Sequence, residues 1–319
     1  MDGLAQPAPA YLCPPDLLLQ ARRRGAVPVA IAGATASHVL QSVSWATSFG
    51  LIEPILVGEP AAIMAARPDE LAGARIIAAT DDEDAAARAV ALVRGGEASL
   101  LMKGHLHTDI LLRAVLSPTM GLRTGRRLSH VFAMHWAAST RPLLITDAAL
   151  NIAPDAKTLA TIMRHALDAA RALGLAQPRL AVLSATEEVN PSMPSSVAAL
   201  NFANECRAEV EAQGGFISGP LALDVALSAT AARIKGLKND PVAGRADILI
   251  VPNIETGNAL FKMLVHIANA TAAGVVLGAS VPIVLTSRAD PAEAKLASIA
   301  LARLLAAQAI ADHGSSNTH

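Results

Sequence analysis

The chain reads as an α/β protein built on doubly wound parallel sheets. Short runs of apolar residues recur along it, helix-patterned segments alternate with them, and the apolar runs are continuous, as in strands buried on both faces. VPVAIAGAT at 27–35 is the first strand, and a helix over 37–50 closes at Gly50. Further strands fall at 53–58, 74–80, 98–104, 130–136 and 141–147. Among them DDEDAAARAVALVRGG has an acidic first turn and a double-glycine end, which suit the two poles of a helix. The second half has strands at 179–185, 246–252, 274–280 and 282–287, with helices over 155–173, 195–213 and 255–270. An Ala- and Leu-rich helix over 291–312 ends the pattern. Right-handed crossovers wind such a series into one or two layered sheets.

The 319 residues suffice for two domains at roughly 150 residues each. A soft boundary is expected near residues 139–154. A hydrophobic fraction of 52% against 17% charged residues excludes disorder. Mean hydropathy is high at +0.40, yet no apolar run reaches the ~18 residues of a membrane span. No basic segment leads into an apolar one at the start, so a cytoplasmic protein is expected. A net charge of −1 and 3% aromatic residues argue against a nucleic-acid partner. Cys13 and Cys206 have no metal-binding or redox spacing. An anionic ligand would therefore have to be drawn by local cations.

Several familiar motifs are missing. There is no GxG, no glycine followed by lysine, no HExxH, no CxxC and no GxSxG. These absences exclude the P-loop and weaken dinucleotide, zinc-hydrolase and serine-hydrolase readings.

What remains are polar groups where strands end. Lys103-Gly104-His105-Leu106-His107-Thr108-Asp109 leaves a strand and enters a helix, with Thr108 placed to cap it. Lys103, His107 and Arg113 can converge on an anion at that helix start, or Asp109 and Arg113 can form an i,i+4 surface pair. Arg123, Thr124, Arg126 and Arg127 sit in a glycine-punctuated loop that suits phosphate or is simply solvated. Asp147 and Asn151 either contact a ligand or hold a turn. Asp224, before a helix, and Asn258 and Lys262, at the opening of another, carry the same ambiguity between ligand contact and structural duty. Finally, the strand PIVLT runs out at Ser287-Arg288, with Asp290 placed to cap a helix starting at Pro291. His38, His165 and His266 lie in helical patterns and are read as structural.

Together MKGHLHTDILLRAVL, GLRTGRRLSHVF, PLLITDAALNIAPD, SATEEVNPSMPSS, GPLALDVALS, KNDPVAGRADILIVPNIETGNALFK and VPIVLTSRAD resemble the phosphate acetyltransferase and phosphate butyryltransferase family, nearest its butyryl-type members. The blocks occur in family order over roughly residues 20–305. The resemblance implies two doubly wound α/β domains around a cleft, with the isocitrate/isopropylmalate dehydrogenase-like fold. Residues 1–140 plus 288–319 would form the first domain, and 141–287 the second, which would carry a homodimer contact. It implies reversible acyl transfer between coenzyme A and orthophosphate through an acyl phosphate, with coenzyme A as co-substrate, no permanent cofactor and no metal. By position, Arg288 would hold the phosphoryl group, Ser287 would bond the CoA sulfur, and Arg113 would help bind the anionic substrate. One departure stands out: Ala294 occupies the place where acetyl-type members carry an Asp proposed as the thiol's base. Two other classes remain open: a non-catalytic acyl-CoA or phosphate binder, and a metal- and NAD-dependent oxidoreductase of the same superfamily, which would need clustered Asp or His ligands.

Overall fold

The computed structural model describes residues 13–137, 139–287 and 290–315, with the backbone alone over 308–315. In chain order the elements are α1 (Pro15–Arg22), β1 (Val27–Ala32), α2 (Ser37–Ser48), β2 (Ile52–Gly58), α3 (Pro60–Ala66), β3 (Arg75–Ala78), α4 (Asp82–Arg94), β4 (Leu100–Lys103) and α5 (Thr108–Val115). The middle contains β5 (Ser129–His135), β6 (Leu143–Thr146), α6 (Ala156–Ala172), β7 (Arg179–Leu183), α7 (Pro194–Ala212), β8 (Phe216–Leu221), α8 (Leu223–Leu227) and α9 (Ala229–Ile234). The chain closes with β9 (Ile248–Ile250), α10 (Ile254–Ile267), β10 (Thr271–Leu277), β11 (Ile283–Val284) and α11 (Ala292–Ser315).

Among the described residues eleven strands join one sheet in the order β3-β2-β1-β4-β11-β10-β5-β6-β9-β7-β8. Two parallel blocks, β3-β2-β1-β4-β11 and β6-β9-β7-β8, flank a centre in which β10 is antiparallel to β11 and to β5, and β5 is antiparallel to β6. This centre corrects the all-parallel expectation. Residues 136–142 and 278–282 are too short to carry a crossover, so the strands they join must pair antiparallel. Three reversals, at β11/β10, β10/β5 and β5/β6, leave the second block running opposite to the first.

The strand β8 was not expected, because Gly219 and Pro220 interrupt its pattern. Proline lacks the N–H that a central strand would need, and β8 is an edge strand, where that loss is tolerated.

Helix starts follow local chemistry. The carboxylates of Asp81 and Asp155 accept from Asp84 N–H and Thr158 N–H at 2.8 Å each, and the Asn253 side chain accepts from Thr256 N–H at 2.9 Å. One apolar cluster joins α2, α6, α7 and α11 to the sheet through Leu40, Leu167, Phe202 and Leu301. On the other face α4 and α5 cover the first block, and α8, α9 and α10 cover the second. Each fully buried leucine or isoleucine contributes about 1.5–3 kcal/mol. The stretch of α11 from Lys295 to Ala306 is buried on every side, as an all-round apolar helix must be. Among the described residues, no helix is long and apolar enough to cross a membrane.

Candidate active site

Strands β1, β4 and β11 end side by side. Ile283 and Val284 pair with Leu101 and Met102, so β11 ends beside Lys103. Lys103 is only 3% exposed, and its Nζ donates to the carbonyls of Gly104 and Leu106 at 3.3 and 3.2 Å. Beyond it His105 and His107 are exposed. His107, and not Thr108, takes the cap position of α5, and its side chain makes no capping bond; Thr108 is already helical. That corrects the expected cap.

His38, read as structural from its helical pattern, is not buried. It is the second residue of α2, lies exposed, and meets the His105 ring edge-on at 6.4 Å between centroids. Its pKa is lowered by desolvation first and then by the charges of Lys295, His105 and Lys103. Lys103 and Lys295 are thus close enough to His38 to hold its ring uncharged at the sheet's end. Lys295 was missed in the sequence reading, because nothing in an Ala- and Leu-rich helix marks one lysine as inward-facing.

After β11, Thr286 is buried and Ser287 is exposed. Ser287 N–H donates to Asp290 Oδ2 at 2.7 Å, and Asp290 N–H donates to the Ser287 carbonyl at 3.3 Å. Since α11 starts at Ala292, Asp290 closes this turn and does not cap from Pro291 as expected. Arg288, the expected phosphoryl-binding residue, lies outside the described residues. Arg113 is 70% exposed at its side chain and pairs with Asp109 at 3.3 Å, the surface pair that its spacing allowed.

The remaining expected residues belong to segments at the opposite end of the strands, because β6 runs opposite to β4 and β11, and they are spread from β5 to the edge strand β8. Asp147, 2% exposed, accepts from the N–H groups of His130, Ala149 and Leu150 at 3.2, 2.9 and 3.0 Å and from Asn151 Nδ2 at 2.6 Å. Asn151 Nδ2 also donates to the Leu128 carbonyl at 2.8 Å. Both residues hold the turn, and Asp147 has no acceptor capacity left for a ligand. Thr124 Oγ1 donates to the Gly278 carbonyl at 2.6 Å, pinning the loop of exposed Arg123, Arg126 and Arg127. Asn258 Nδ2 donates to the Ala148 carbonyl at 3.3 Å, Asp224 is paired with Lys235 at 3.7 Å, and Lys262 is exposed on α10. Among the described residues the polar groups thus lie at both ends of the strands.

Of the three histidines read as structural, His165 fits that reading. It is fully buried, with Nδ1 2.7 Å from Ser129 Oγ.

Comparison with known proteins agrees with this arrangement of elements. Residues 73–303 match the family model described as phosphate acetyl/butaryl transferase. A phosphate acetyltransferase of Rhizobium meliloti is 46% identical over 92% of this chain and 93% of its own. A phosphate butyryltransferase of Clostridium acetobutylicum is 38% identical over 91% of this chain and 97% of its own. The crystal structure of a branched-chain phosphotransacylase from Enterococcus faecalis V583 superposes with a TM-score of 0.77 at 36% identity, covering 88% of this chain and 99% of that one. Identity at this level over nearly the whole length of each protein leaves one assignment: this chain belongs to the phosphate acetyltransferase and phosphate butyryltransferase family.

Proposed function

We propose that this chain transfers an acyl group reversibly between coenzyme A and orthophosphate at the end of the sheet where β1, β4 and β11 finish. The CoA sulfur attacks the carbonyl carbon of an acyl phosphate in a ternary complex. A C–S bond forms, the C–O bond to the phosphoryl group breaks, and the departing orthophosphate takes up the thiol proton. Arg288 holds the phosphoryl oxygens and Ser287 bonds the sulfur. Lys103, His107, Thr108 and Arg113 add donors and positive potential around the anion.

The observation that carries this reading is that two lysines stand by the Ser287 turn: Lys103 at the end of β4 beside β11, and Lys295, whose Nζ donates to the Asp290 carbonyl. Positive charge fixed in advance where a phosphate dianion departs is the largest single aid such a reaction can receive. No carboxylate stands at Ala294. A thiol of pKa about 8.5 is about 3% thiolate at neutral pH, a handicap of about 2 kcal/mol. Cationic surroundings lower a thiol's pKa and shrink that handicap.

The group at the other end of the strands suits a different part of CoA. Thr124, Arg126 and Arg127, with Asn258 and Lys262 at the same end of the strands, are candidates for the nucleotide phosphates, which the pantetheine arm separates from the thiol; Asp224, a carboxylate after the edge strand β8, suits a hydroxyl or amino group of the substrate and not a phosphate. Asp147 and Asn151 shape that surface. We further assign two lobes, residues 1–140 plus 288–319 and 141–287; α11 returns onto α1 and α2 of the first and also packs on β10 and α6 of the second, along the seam between them. A homodimer formed through the second lobe is supported by Met263 and Ile267, exposed on α10. A cytoplasmic location fits these water-soluble substrates.

Thioester formation from acetyl and butyryl phosphate with CoA tests the reading. The Arg288→Ala variant should turn over about a hundredfold more slowly or worse. A near wild-type rate would remove Arg288 from its role. CoA binding with no turnover across an acyl-length series would favour a non-catalytic binder.

A further inference from the structure

Lys295 is the largest side chain among those least exposed in the described core, at 1% exposure. It sits in the first turns of α11, where the helix dipole opposes a positive charge. Burial pushes its pKa below the usual lysine value, against the pull of Asp290 and Glu293. Neighbouring positions of α11 are Ala, Leu, Ser and Ile, so packing alone gives no reason for an ammonium here. Its Nζ donates to the carbonyl of Asp290. That same Asp290 takes the Ser287 N–H on its carboxylate at 2.7 Å.

We propose that Lys295 and Asp290 are positioning residues that lock the turn after β11 and so fix Ser287 at the end of the sheet. The first tie runs from the Lys295 ammonium to the Asp290 backbone; the second runs from the Asp290 carboxylate to the Ser287 backbone. Helix α11 thereby anchors the turn from behind, and the two-residue strand β11 does not have to hold it alone. The lysine also adds its charge to the neighbourhood of His38, His105 and Lys103. This proposal rests on the acyl-transfer reading for its catalytic consequence, though not for the turn itself.

The test uses the full chain with Lys295→Met, which keeps the length and removes the charge, and with Asp290→Asn and Asp290→Ala. Asparagine retains an acceptor for Ser287 N–H, whereas alanine does not. Loss of one charged hydrogen bond amounts to roughly ten- to hundredfold. Lys295→Met and Asp290→Ala should each lower kcat by at least tenfold with the CoA KM within twofold of wild type, and Asp290→Asn should recover most of the rate. Exchange of the Ser287 amide proton should quicken at least tenfold in Lys295→Met and Asp290→Ala, while amides of β4 and β10 keep their protection. Unchanged Ser287 exchange overturns the locking claim, whatever the rates do. Faster exchange with unchanged kcat overturns the positioning role. An Asp290→Asn variant as slow as Asp290→Ala would make the carboxylate's charge, and not its bond, the active feature. A wild-type chain without transacylase activity would refute the acyl-transfer reading, and amide exchange would still decide whether Lys295 holds the turn.

Discussion

The backbone of Gly104 lies so close to that of Gly33 that a Cβ at Gly104 would stand 2.3 Å from the Gly33 carbonyl oxygen and 2.7 Å from that of Ala32. The ends of β1 and β4 are held together there, since Gly104 N–H donates to Ala32 at 2.8 Å and His105 N–H to Gly33 at 2.7 Å. Both obstacles are backbone atoms and cannot swing aside. Gly104→Ala should therefore cost about 3 kcal/mol or more, at or beyond the top of the usual overpacking range. Thermal melting should show a drop of several degrees, with transacylase activity falling alongside it. An unshifted melt would mean that the two strand ends separate freely.

Asp147 should matter for stability more than for substrate affinity. Asp147→Ala leaves four donors without their acceptor, three of them backbone N–H groups. Donors buried without partners cost about 1–3 kcal/mol each before relaxation, so a total loss of about 3–5 kcal/mol is expected. Denaturant unfolding measures it. A stable Asp147→Ala protein with a raised KM would reverse the assignment.

Acid should weaken the fold through histidines that are buried uncharged. Burial lowers His165 and His135 from 6.5 to about 4, and His130 likewise to about 4 despite the opposing pull of Asp147. Between pH 6.5 and about 4 the unfolded chain binds protons that the folded chain refuses, so stability falls as pH falls through that window. Each such histidine contributes a slope of up to about 1.4 kcal/mol per pH unit. Melting temperature followed from pH 7 downward should decline, and His165→Gln should decline less steeply than wild type. An equal slope would show that His165 takes up its proton without unfolding the chain.

Arg113 separates binding from stability. Its pair with Asp109 is exposed, and such pairs are worth at most about 1 kcal/mol. Arg113→Ala should leave the melting temperature within about a degree or two of wild type. The acyl-phosphate KM should rise about tenfold, the size of one lost charged hydrogen bond. An unchanged KM in steady-state kinetics would reduce Arg113 to a surface pair.

Much of this protein could be read from its residues one segment at a time. Continuous apolar runs such as VPVAIA and LLMK placed β1 and β4 within a few residues of their ends. The acidic first turn of α4 and its following glycines bounded that helix. Ser287 was placed at a strand's end because PIVLT is too apolar to end anywhere but in the core, and the residues after it are polar. These features depend on local periodicity and capping, which neighbouring residues set between themselves. Strand direction does not. Ser287 and Asp147 each follow an apolar strand and look alike in sequence, yet they lie at opposite ends of the sheet, because the antiparallel strands β10 and β5 reverse the second block. The buried position of Lys295 escaped for a related reason. An apolar helix has no polar face in its pattern, so only the surrounding elements, brought together from distant parts of the chain, determine that this ammonium points inward to the Asp290 carbonyl.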